Sequence, residues 1–267
     1  MTDESDLVDD PAPGAITDDD APDEGDASGL PPVTVALLHP DASRRALLER
    51  KLARSAGIEV VMSAGGTNEG ITDVIDGLPD VVAIFPSDDL VELVTRLEHE
   101  APAVSVLVLD PGPEHFPALG AGARGTLPSG GSEISKAVTG IATDETVLTP
   151  EWAGLLLEAI NGLDDRVRRL AVLNETEREV LARRAEGETP RTIADLYEVS
   201  ERLVNLHVGF AVGKYHRATE AIRALDGFET ARAALEEEGA EDFGVADAET
   251  ADETDDETGM DVGWSEE

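Results

Sequence analysis

The sequence has no cysteine, only three lysines, and aromatic residues at 3%. Without thiols there are no disulfides and no thiolate metal sites, and nothing points to an oxidising compartment. With so few rings, any core has to be assembled from Leu, Val, Ile and Ala. Long apolar runs are missing too. None approaches the length of a membrane span, and the start, MTDESDLVDDPAPG, has neither the basic nor the apolar region of a secretory leader. These absences predict a soluble, cytoplasmic protein with no membrane partner.

What the chain has in excess is acid: 58 Asp and Glu against 20 Lys and Arg, a formal net charge of −38 over 267 residues. Arginine supplies every basic residue except Lys51, Lys136 and Lys214. That pattern resembles proteins of salt-in halophiles such as haloarchaea, whose acidic surfaces keep them soluble at molar salt. In ordinary salt the same charge would strain the fold by self-repulsion. Acidity of this kind reports habitat, so function is to be sought where the chain departs from it. At the ends, residues 1–31 carry 11 acids and no Lys or Arg, and the acidic pattern returns over 239–267. Both have the composition of disordered tails, with Phe243 and Trp264 as the aromatic residues in the second. Neither contains the spacing of a calcium loop.

Between the tails, apolar residues are 41% of the whole, enough for one or two cored domains. Short Val/Ile/Leu runs alternate with amphipathic segments. Strands are predicted at 33–38 (VTVALL), 58–62 (IEVVM), 81–85 (VVAIF), 104–109 (VSVLVL) and 125–127 (GTL). Helices are predicted at 42–55, 71–78, 90–98, near 115–119 and at 132–142. Continuous apolar strands separated by helices indicate a parallel sheet covered on both faces, an α/β, flavodoxin-like, doubly wound domain whose strand ends would carry any site.

The stretch GAGARGTLPSGGSEISKAVTGI (120–141) resembles the end of a response-regulator receiver domain, and TVLTPEWAGLLLEAI (146–160) resembles the linker that follows it in the NarL/FixJ group. The resemblance covers residues 33 to about 142. It implies a domain that phosphorylates itself on an Asp ending the third strand, using Mg²⁺ held by an acidic pair after the first. A hydroxyl ends the fourth strand and a Lys the fifth, both binding the phosphate oxygens. Here those positions carry His39 and Asp41, Phe85, Asp110, and Pro128 or Ser129. Phenylalanine accepts no phosphoryl group and Asp110 would repel one. The expectation is a pseudo-receiver: no catalytic residue, no cofactor and no metal, with His39, Asp41, Phe85, Asp110 and Ser129 as the degenerate positions and a protein partner as its possible ligand.

The second departure from acidity lies between Arg166 and Leu225, where 11 Lys and Arg meet 9 Asp and Glu. A block of this kind in so acidic a chain indicates an anionic partner. Asn174 with Glu177 forms a capping box before one helix; Thr189 with Pro190 starts a second, and Ser200 starts a third. Two short helices joined by a tight turn make a helix-turn-helix, whose second helix enters a DNA major groove. LNETEREVLARRAEGETPRTIADLYEVSERLVNLHVGFAVGKY (173–215) resembles the LuxR-type DNA-binding domain, a four-helix all-α unit. Leu173, Glu177, Val180, Leu181, Gly187, Ile193, Ala194, Val199, Ser200, Val204, His207 and Lys214 match its pattern. Thr192, Leu203, Asn205, Tyr197 and Glu198 depart from it, and two residues are missing before Thr219, which shortens the turn into the fourth, dimer-forming helix.

By resemblance, Arg202, Asn205 and Leu206 enter the groove, with Leu203 and His207 on the same helix and Arg191, Thr192, Ser200 and Lys214 on flanking phosphates. His207 is expected to pack rather than read a base, and Arg183 and Arg184 to lie on the outer face of their helix. The expected layout is an acidic tail (1–31), a receiver-like domain (32–143), a linker helix (144–170), a LuxR-type helix-turn-helix domain (171–238) and a second tail (239–267). The chain reads as a transcription regulator that binds double-stranded DNA as a homodimer, and not as an enzyme. The competing reading is an interaction module whose basic face docks an acidic protein.

Overall fold

The computed structural model describes residues 31–65, 68–130 and 133–242. Both expected tails lie outside the described residues for most of their length.

Five strands, β1 (Val33–Leu38), β2 (Ile58–Ala64), β3 (Val81–Ile84), β4 (Ser105–Leu109) and β5 (Gly125–Leu127), form one sheet in the order β2-β1-β3-β4-β5. Every pairing is parallel. This is the flavodoxin-like doubly wound order expected from the alternation of strands and helices. The connecting helices are α1 (Ala42–Leu52), α2 (Asn68–Gly77), α3 (Leu90–Glu100), α4 (Pro117–Ala121) and α5 (Ile134–Ile141).

The strands read as unbroken apolar runs because both faces of the sheet are covered. Val35, Leu37, Val81, Ala83, Leu107 and Leu109 pack with Leu48 and Leu52 of α1 and Ile134, Val138 and Ile141 of α5. The alternate residues Ala36, Leu38, Val82, Ile84, Val106 and Val108 are also buried, on the opposite face as strand geometry requires. The edge of β5 is not bare, since the Thr126 amide donates to the Val147 carbonyl (2.7 Å).

Past the sheet, Thr149 caps α6 (Pro150–Asn161), and Pro150 stands at its first position. Trp152 of this helix is fully buried and meets the Phe116 ring edge-on at 5.6 Å, while Phe116 also contacts Tyr215 at 5.6 Å. A 3-10 turn over Arg168–Ala171 leads to α7 (Glu175–Ala185), α8 (Pro190–Tyr197) and α9 (Glu201–Asp242).

Here the structure corrects the sequence reading. No separate fourth helix follows the third: α9 runs unbroken for 42 residues. The turn that the resemblance implies before Thr219 is absent, and residues 214–219 hold neither Gly nor Pro to stop the helix. The same helix continues through 239–242, which composition alone assigns to the tail. Among the described residues no helix is long and apolar enough to cross a membrane.

Candidate nucleic-acid interface

Local chemistry sets each boundary of the α7–α8–α9 unit. The Asn174 side chain accepts the Glu177 amide (2.8 Å) and Glu177 accepts the Asn174 amide (2.9 Å), the reciprocal pair expected from the sequence. Gly187, at φ +91°, supplies the left-handed residue that ends the first helix. Thr189 caps α8 through the Thr192 amide (3.1 Å), and Glu198, at φ +55°, reverses the chain before Ser200 caps α9 through the Leu203 amide (3.2 Å). Val180, Leu181, Ile193, Ala194, Val204, Val208 and Ala211 are buried. They hold α8 and α9 in a helix-turn-helix.

The predicted contact residues divide into two groups. Arg191, Thr192, Ser200, Arg202 and Leu203 are exposed on α8, the turn and the first turn of α9. Leu206 and His207 are half-buried; the His207 ring stands edge-on to Phe210, and its Nδ1 has no partner.

The other two predicted residues are engaged elsewhere. Lys214, expected on a phosphate, donates to Glu177 (2.5 Å), whose carboxylate is buried. The helix-turn-helix spends this cation internally, because a buried carboxylate without a partner would be costly. Asn205, expected in the groove, is 6% exposed, and its amide donates to Glu145 (2.9 Å).

Glu145 belongs to the segment between α5 and α6, and its second oxygen lies 3.8 Å from Arg202 Nε. Lys136 of α5 donates to Glu201 at the start of α9. Arg184 does not lie on the outer face of α7 as expected: it is buried and donates to the carbonyls of Leu148 and Glu188. Arg183 does face outward, donating to the Tyr197 hydroxyl (2.9 Å) with its guanidinium beside the ring. The start of α9 is therefore packed against the sheet domain. Glu145, Lys136 and Arg184 were missed as site residues because each acts on a partner 36 to 65 residues away.

At the strand ends, the five residues expected at receiver positions form two separate small groups. The His39 ring meets Phe85 edge-on at 4.0 Å, and its Nδ1 accepts the Asp41 amide (2.7 Å). Burial and the neighbouring Arg44 charge push its pKa down, which suits a neutral ring. Asp41 is occupied as the cap of α1, accepting the Ser43 amide (2.8 Å); that hydrogen bond, then the Arg44 amide, lowers its pKa. Asp110, at φ +52°, accepts both the amide (2.7 Å) and the hydroxyl of Ser129. Phe85 is 6% exposed. Among the described residues no three His, Asp or Glu side chains gather to hold a metal ion.

The geometry thus defines a class: a flavodoxin-like, doubly wound domain followed by a helical unit in which a tight turn joins α8 to α9. No known family model matches the chain. It is 27% identical over 188 residues to the DNA-binding transcriptional activator DevR/DosR of Mycobacterium tuberculosis, covering 67% of this chain and 86% of that one. It is 26% identical over 171 residues to the response regulator VraR of Staphylococcus aureus, covering 61% and 80%. Among solved structures, the response regulator ChrA of a heme-sensing two-component system aligns with 73% of this chain and 99% of its own, at 25% identity and TM-score 0.40. The relatives are DNA-binding response regulators and not enzymes.

Proposed function

We propose that the protein is a sequence-specific DNA-binding transcription regulator whose receiver-like domain takes no phosphoryl group. The observation that carries the reading is the α8–turn–α9 unit, which exposes Arg191, Thr192, Ser200, Arg202 and Leu203 together within the stretch 166–225, where 11 Lys and Arg meet 9 Asp and Glu. The similarity to DNA-binding regulators supports it. Arg202 reads a base edge, Arg191 and the two hydroxyls position phosphates, and a homodimer doubles the contact. Asn205 joins them only after Glu145 lets go of it, so the DNA-bound form differs from the packed arrangement described above. The loss of phosphorylation rests on Phe85, which offers no nucleophile at the acceptor position and closes it with a ring. A protein partner at the strand ends would then supply the input. The proposed layout keeps the divisions of the sequence reading except that α9 runs on through 239–242 with no separate fourth helix, and the net charge of −38 marks a protein of molar-salt surroundings.

A second reading is favoured by one observation. Leu196, Tyr197, Val199, Leu203 and Phe210 are all exposed, which suits docking of another protein on the same unit.

The deciding experiment is a fluorescence-anisotropy titration on selected and scrambled duplexes in about 1 M KCl, where charges beyond a few Å are screened. Arg202→Ala should cost about 1–3 kcal/mol on the selected site and relax specificity at one base pair. Arg191→Ala should weaken binding to every duplex alike. Indistinguishable curves for selected and scrambled DNA would overturn the reading in favour of protein docking.

A further inference from the structure

The packed arrangement has a second contact, remote from the reading end of α9. Four turns further along that helix, His216 is half-buried against the sheet domain. Its Nδ1 lies 3.1 Å from the Gly120 carbonyl of α4. Its Nε2 lies 3.5 Å from Glu98 of α3 and 3.7 Å from Glu220 on its own helix. Thr219, three residues on, donates to the same Gly120 carbonyl (2.8 Å). The approach is close: a Cβ added at Gly120 would meet Thr219 and Tyr215 at 3.1–3.3 Å, and one added at Gly209 would meet Thr146 at 3.0 Å.

Both ring nitrogens of His216 therefore face acceptors. A neutral imidazole carries one N–H and would leave either the carbonyl or the carboxylates facing a lone pair, whereas the imidazolium donates in both directions. Other charged groups beside the ring are Arg124, between α4 and β5, and Arg217 of α9, which line the same crevice of about 130 Å³ with Glu98. His99 adjoins Glu98 on α3. Two carboxylates and a carbonyl in direct reach outweigh the two guanidinium groups.

We propose that His216 is a proton-operated latch that holds α9 on the receiver-like domain, so that loss of its proton frees the DNA-reading end of the same helix. The inference rests on the DNA-binding reading for its consequence, but the latch itself is a property of the packing. Hydrogen bonding to Glu98 first, then to the Gly120 carbonyl, and the charge of Glu220 hold the His216 pKa above its ordinary value against the opposing effect of burial. Glu98 is correspondingly held below the usual carboxylate range by His216. A raised imidazole pKa stabilises the closed form fully below its unfolded value of 6.5, and that stabilisation is lost as pH rises through the folded value. The Glu98 contribution is present above 4.5 and is lost as pH falls through its own depressed value. The latch is tightest between the two.

The absence of cysteine makes the test direct. Asp73→Cys and Thr176→Cys, both at exposed positions, place a donor–acceptor pair on α2 and α7 of the full chain. Energy transfer is followed from about pH 5.5 to 8.5 in about 1 M KCl, with DNA affinity measured on a separate sample. Transfer should fall as pH rises above 6.5, with the closed-to-open ratio changing about tenfold for each unit by which closure raises the His216 pKa. His216→Gln, which keeps a single donor, should flatten the curve; Glu98→Gln, confirmed folded by its thermal melt, should move its midpoint down. A pH-independent signal in the parent chain, or an unchanged titration in both variants, overturns the latch. Absence of DNA binding at every pH overturns the functional reading instead, and the energy-transfer curve still decides the latch.

Discussion

At the scale of single residues, the side chains at the strand ends are occupied with one another, which is what the proposed loss of phosphorylation requires. Phe85 fills the acceptor position and is covered by His39; Asp41 is spent on a helix cap; Asp110 and Ser129 satisfy one another. None of these side chains is left poised to attack or to hold a cation. Incubation with acetyl phosphate and Mg²⁺ should accordingly leave the intact mass of the protein unchanged. A stoichiometric adduct that hydroxylamine removes would refute this account of Phe85. The residues themselves were legible in the sequence, because strand ends can be counted. Their pairings were not: the Asp110–Ser129 contact needs both the left-handed backbone at Asp110 and the adjacency of β4 and β5.

At the scale of elements, β1 and β5 match their predicted spans, and β2 overruns its span by two residues. Apolar strands bounded by turns announce themselves locally. Helix ends with a chemical signature did so as well, at Asn174, Thr189 and Ser200. Arg184 shows the limit. A charged side chain on a helix reads as solvated by default, yet this one reaches a carbonyl 36 residues back, which only the packing of α7 on α6 reveals. The length of α9 was hidden for a different reason, since the absence of a turn leaves nothing to see. Gly227 lies within this helix, and a Cβ there would meet nothing within 4 Å. Gly227→Ala should therefore stabilise the helix by about 0.5–1 kcal/mol, seen as a higher helical melting temperature in circular dichroism. An unchanged or lower melting temperature would mean that this stretch of α9 is not helical in solution.

At the scale of the whole molecule, net charge decides the solvent in which these contacts count. With a net charge of −38, self-repulsion opposes compact arrangements, and part-exposed ion pairs such as Lys136–Glu201 and Arg202–Glu145 are too weak to offset it alone. Raising KCl from about 0.1 to 2 M shortens the screening length from about 10 Å to below 3 Å, which relieves repulsion while leaving hydrogen bonds such as Arg184–Leu148 in place. The melting temperature should rise across that range. A fall would show that attractive surface pairs, and not repulsion, dominate.

The nearness of α9 to Gly120 carries a consequence for inheritance. Because a methyl there would press on Thr219 and Tyr215 at 3.1–3.3 Å, the closeness of α9 to the sheet domain is written in one codon. A lineage that changed it to alanine would gain a single methyl wedge, with every charge and every cap unaltered. Such an allele would be silent in net charge and would be felt only through the few tenths of an ångström by which Thr219 and Tyr215 must give way.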